Sequence, residues 1–71
     1  MSIGENIRRY RIGKAMTQLE LAQAVGVTQP MIAQIERDTK AVTMPLGRDI
    51  AQVLGKNIGD LFATEDQNKA G

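Results

Sequence analysis

An all-α fold, a compact five-helix bundle, is what this sequence predicts, and three observations predict it. Five segments carry apolar residues at helical spacing, and each follows a residue able to cap a helix: Ser2, Thr17, Thr28, Thr43 and Asn57. Glycines or short polar stretches separate the segments, and no run reads as a strand.

The first segment opens with Ser2 and Glu5, a capping box in which each side chain satisfies the other's free backbone amide. It predicts a helix over residues 3 to 14 or 15, with Ile3, Ile7 and Tyr10 as its apolar stripe. Gly4 and Gly13 weaken it slightly, and Gly13 marks its fraying end. Thr17 and Glu20 form a second capping box ahead of Leu21, Ala22 and Val25. Gly26 then sits where the chain must turn, and Val27 plugs the turn. Thr28 caps a third helix with Ile32 and Ile35 facing inward. Residues 38–42 read as a polar loop. Thr43 caps a fourth helix that tolerates Pro45 in its first turn, takes apolar contacts from Ile50, Ala51, Val53 and Leu54, and stops at Gly55. Asn57 caps a short fifth helix in which Ile58, Leu61 and Phe62 close the core. Residues 1–63 therefore form the domain, and 64–71 read as a flexible C-terminal tail.

The second and third helices, joined by a tight turn, have the pattern of a helix-turn-helix, whose second helix can lie in a DNA major groove. The faces left over after burial are polar or small: Gln18 and Gln23 on the first of the pair, Gln29, Ala33 and Gln34 on the second.

Composition narrows the function. The chain of 71 residues suits one small domain, with 42% hydrophobic and 24% charged residues, as in a globular protein. A domain of this size hides only about 60% of its unfolded surface, so its stability is modest. Cysteine and histidine are both absent, and no carboxylates cluster, so neither a catalytic constellation nor a metal site is expected, and no cofactor. No apolar run reaches membrane-spanning length and the start lacks a signal-peptide core, which makes the cytoplasm the expected compartment. A net charge of +1 is weak for a nucleic-acid binder. Its distribution is more informative. Arg8, Arg9, Arg11 and Lys14 share one helical stretch, while Arg37 and Lys40 follow the third helix. Balanced charge can still leave one face positive, although charge alone reads as ordinary solvated helix surface.

The pattern MTQLELAQAVGVTQPMIAQIER, followed by a loop and DIAQVLGKNIGDLF, resembles the Cro and Xre-like family of phage and bacterial repressors, with lambda-repressor-like domains, across residues 3–62. The resemblance rests on the TQ-x-E-LA start, the glycine of the turn, I-x-x-I-E, IA-x-x-LG and the closing LF. It implies a bundle that binds operator DNA, usually as a two-fold dimer, in a bacterial or phage-encoded, nucleoid-associated regulator. This chain departs from the pattern at Pro30, where relatives often carry a polar base-contacting residue. It also departs at Gly47, where a larger apolar residue is common; the glycine implies either close backbone packing or a loosened helix.

On this reading Gln29, Pro30, Ala33 and Gln34 contact bases. Glutamine pairs an adjacent donor and acceptor with adenine N6 and N7, Pro30 offers apolar contact to a thymine methyl, and Ala33 leaves room. Gln18, Thr28, Arg37 and Lys40 contact phosphates; Gln18 resembles the family's phosphate clamp, and Gln18 and Thr28 stand at helix N-termini. Exposed glutamines are also ordinary helix surface, and it is the resemblance that favours readout. For Arg8 and Arg9, phosphate contact and solvation stay open. Arg11 and Glu36 follow buried residues by four positions, and the resemblance implies an ion pair between them. Tyr10 suits a partly buried core role better than stacking on DNA. Met44, Leu46, Ile58 and Phe62 are the surface expected for a weak homodimer. Two alternatives to a repressor remain: an antitoxin that binds its own operator and a partner protein, and a helical module that binds proteins only.

Overall fold

The structure, a computed structural model, describes residues 2–63; the expected tail at 64–71 lies outside them. Five α-helices follow one another: α1 (Ile3–Gly13), α2 (Gln18–Val25), α3 (Gln29–Glu36), α4 (Met44–Leu54) and α5 (Ile58–Phe62). Among the described residues there is no strand.

Each start is capped at the residue the sequence marks. Ser2 Oγ accepts from the Glu5 amide at 3.1 Å, and Glu5 returns its carboxylate to the Ser2 amide at 3.0 Å. Thr17 and Glu20 repeat the exchange at 3.0 and 2.8 Å. Thr28 and Thr43 accept from Met31 and Leu46. Asn57 is the N-cap of α5, and the Asp60 carboxylate accepts from its amide at 3.0 Å.

The first four helices share one closure at their ends. After α2 the Val27 amide reaches the Ala22 carbonyl at 2.9 Å across Gly26, whose φ of +77° suits a residue without Cβ. Gly55 does the same after α4. Two further closures use residues other than glycine. Met16 donates to Arg11 O across Ala15 (φ +57°), and Thr39 donates to Gln34 O across Asp38 (φ +62°). This closure ends α1 at Gly13, shorter than the expected 14 or 15, because Ala15 must turn left-handed to bring Thr17 into its capping position. An alanine there is strained by about 1–2 kcal/mol. Ala15→Gly is therefore expected to raise stability by roughly 0.5–1 kcal/mol, read as a higher urea midpoint at unchanged slope.

Ile7, Leu21, Ala22, Ile32, Ile35, Ile50, Ala51, Leu54 and Leu61 form the core, drawn from all five helices. Each large side chain among them contributes roughly 1.5–3 kcal/mol by leaving water. Tyr10 is half-buried against this core, with the Lys56 ammonium 4.8 Å from its ring centroid, in keeping with the core role. Val53, half-buried, packs against this core.

Two glycines are set by space. Gly47 is buried, and a Cβ there would lie 3.0 Å from Ile58 Cδ1 and 3.2 Å from Phe62 Cε1, so α5 packs directly onto the α4 backbone. Close packing, not a loosened helix, explains the departure at this position. Gly4 is a correction: it does not merely weaken α1 but permits the crossing of α1 and α3. Its Cβ would meet Ile35 O at 2.3 Å and Glu36 O at 2.8 Å. The same crossing is clamped by Asp38, which accepts from Ser2 Oγ at 2.6 Å and from the Gly4 amide at 3.1 Å. Asn6, buried on α1, donates to Leu61 O and Ala63 O at 2.9 and 2.8 Å and fixes α5.

Candidate nucleic-acid interface

Because Ile32 and Ile35 anchor α3 from within, the opposite side of a helix of 3.6 residues per turn is turned outward. Pro30 and Gln34 occupy it, and Gln29 and Ala33 flank it. Gln29 and Ala33, four apart, are half-buried; Pro30 and Gln34, also four apart, are exposed. The structure thus brings the four expected base-contacting residues onto the outer part of α3. Pro30 stands in the first turn, where it costs no intrahelical hydrogen bond.

Gln29 differs from the expectation of a freely projecting side chain. Its Nε2 donates to Gln18 Oε1 at 2.7 Å, and Gln18 Nε2 donates to Glu36 Oε1 at 3.1 Å. Glu36 in turn accepts from Arg11 Nε at 2.6 Å and Nη2 at 3.0 Å, while Arg11 Nη1 reaches Met16 O at 2.7 Å. The expected Arg11–Glu36 pair is present and buried, the two side chains being 10% and 2% exposed. Among the described residues no buried side-chain nitrogen or oxygen lacks a partner.

Polar and cationic groups surround this face. Gln18 is the first residue of α2, half-buried beside Gln29. Thr28 is exposed and serves as the α3 cap. Arg37 and Lys40 are exposed just beyond α3. The acid between them, Asp38, is turned to the α1 N-terminus by Ser2 and Gly4, so its charge is drawn away from these cations. Arg8 and Arg9 are exposed on α1. Sequence reasoning missed Gln18 as a bridge. The available signal was that Gln18 and Gln29 each follow a capping threonine, at the starts of the two helices that the turn brings together.

Residues 7–61 match the helix-turn-helix family. An uncharacterized HTH-type transcriptional regulator from Archaeoglobus fulgidus is 38% identical over 61 residues, spanning 86% of this chain and 87% of that protein. The P22 c2 repressor, solved with a synthetic operator, superposes with a TM-score of 0.83 at 26% identity, covering 87% of this chain and 94% of that one. The clp gene regulator ClgR from Corynebacterium glutamicum gives 0.81 at 30% identity over 83% of this chain, which spans 63% of the ClgR chain. The same fold also occupies 36% of a chain solved as FeII HppE with substrate, at 29% identity and a TM-score of 0.78. The fold alone therefore does not define activity.

Proposed function

This chain belongs to the helix-turn-helix family, in its Cro/C1-type branch, and from that premise we propose that it is a sequence-specific double-stranded-DNA-binding repressor that meets a palindromic operator as a dimer. The observation that carries the proposal is the outer part of α3, where Pro30 and Gln34 are exposed and Gln29 and Ala33 lie half-buried beside them, flanked by the exposed cations Arg37 and Lys40. Gln29 and Gln34 read base edges; Pro30 and Ala33 supply close apolar contact. Gln18, Thr28, Arg37 and Lys40 hold the phosphates and set register without reading sequence. Similarity to a repressor solved on operator DNA supports this reading. The role proposed is binding rather than catalysis, in keeping with the transcriptional regulators that this chain resembles. We place the chain in the cytoplasm because its proposed ligand is chromosomal or phage DNA; among the described residues no helix is long and apolar enough to cross a membrane. Residues 1–63 act as the DNA-binding domain.

Selection of bound sites from random duplexes, followed by two variants, tests the assignment. Gln29→Ala is expected to weaken the selected operator by roughly 1–3 kcal/mol and to relax preference mainly at one base pair per half-site. Arg37→Ala is expected to weaken all duplexes alike and to lower the salt slope by about one. Equal loss on operator and random DNA for Gln29→Ala would rule out readout by this glutamine.

The dimer reading rests on Met44, which is 55% exposed at the start of α4, together with half-buried Leu46, Ile58 and Phe62. Two recognition helices would then read half-sites about one DNA turn apart. Analytical ultracentrifugation on a selected duplex is expected to give two chains per site. One chain on an unpaired half-site would count against it.

A further inference from the structure

We propose that Glu36, held by Arg11, is a positioning residue for base readout: acting through Gln18, it decides which end of the Gln29 carboxamide is offered to DNA. This deepens the proposed function and rests on Gln29 being a base-reading residue.

A carboxylate only accepts hydrogen bonds. Glu36 Oε2 takes Arg11 Nε at 2.6 Å, and Oε1 takes both Arg11 Nη2 at 3.0 Å and Gln18 Nε2 at 3.1 Å. Gln18 must therefore turn its nitrogen end to Glu36, which leaves its oxygen end toward α3. That oxygen accepts only a donor, so Gln29 must turn its own nitrogen end to Gln18, at 2.7 Å. The polarity of both amides is inherited from the carboxylate. What Gln29 keeps free is Oε1 and one remaining N–H. That acceptor–donor pair matches adenine N6 and N7, whereas guanine would set O6 against Oε1.

Unheld, a glutamine amide presents either end and must be ordered when DNA binds. Here the choice is made beforehand, by a pair whose residues are only 9% and 7% exposed and whose guanidinium is tied to Met16 O. A carboxamide at position 36 removes the constraint. It can donate toward α2, so that Gln18 and Gln29 turn over together and Gln29 faces the DNA with N–H groups only.

The test compares wild type, Gln18→Met, Glu36→Gln and Gln29→Ala on four duplexes: the selected operator and the three replacements of the base pair that Gln29 reads. Gln18→Met cuts the relay and leaves the Arg11–Glu36 pair in place, so it is expected to fold. The proposal requires Gln18→Met to reduce discrimination for adenine by about tenfold, and Glu36→Gln to reduce it or move it toward guanine. A lost phosphate contact alone would weaken all four duplexes equally and leave the ratio unchanged. If Gln29→Ala flattens the ratio while Gln18→Met and Glu36→Gln preserve it, the relay is overturned and readout by Gln29 stands. If Gln29→Ala also preserves it, readout by Gln29 fails and the relay falls with it. Circular dichroism establishes that each variant is folded; should Glu36→Gln not fold, Gln18→Met decides.

Discussion

Glu36→Ala is expected to destabilise the domain by roughly 3–5 kcal/mol. Two groups are stranded at once. The Arg11 guanidinium, 10% exposed, loses the acceptors of Nε and Nη2 and keeps only Met16 O. Gln18 Nε2 loses its acceptor as well. A domain of this length has a total stability of only about 4–10 kcal/mol, so the variant should melt more than roughly 12 °C lower. Thermal melts by circular dichroism read this directly. The double variant Arg11→Met with Glu36→Leu is expected to recover most of the loss, since replacing both charges leaves neither one stranded. A Glu36→Ala protein of native stability that binds DNA more tightly would show that the carboxylate acts only as surface repulsion.

Gly4→Ala is the second large effect, and its direction opposes helix propensity. Alanine in place of glycine inside an exposed helix stabilises by about 1 kcal/mol. At Gly4 the added Cβ would stand 2.3 Å from Ile35 O and 2.8 Å from Glu36 O, both backbone atoms that cannot rotate aside. Helix α1 must then lift from the end of α3, loosening the Asp38 clamp on Ser2 and the Gly4 amide. A net loss of about 3 kcal/mol is expected. Gly13→Ala is the internal control. It lies in the same helix with nothing within 4 Å of its Cβ, and should be neutral or slightly stabilising. Urea midpoints for the two variants should move in opposite directions; equal shifts would mean that the α1–α3 crossing adjusts at little cost.

The five helices, their caps and their apolar faces were legible because these depend on residues a few positions apart. Ser2 with Glu5, and Thr17 with Glu20, meet within one turn in any helix that begins there. The outward placement of Pro30 and Gln34 follows from the same periodicity, once Ile32 and Ile35 point inward; Gln29 and Ala33 fall on the flank of that face. What periodicity does not carry is distance between helices. Periodicity marks Gly4 as a slight weakness, reads 38–42 as a polar loop and assigns Asn6 no role.

The sequence by itself thus determined the order of the helices, where each begins, which side of α3 is buried, and the pattern that identifies the family. Only the tertiary structure decided that α1 and α3 cross closely enough to require glycine at position 4. Only there does Asp38 turn to the α1 N-terminus, and do Arg11, Glu36, Gln18 and Gln29 join into one hydrogen-bonded chain. The physical reason is range. Capping and amphipathicity act between neighbours along the chain and repeat with the helix, whereas a backbone crossing or a relay of amides depends on packed interfaces between segments 11 to 34 residues apart, whose spacing is set by the whole core.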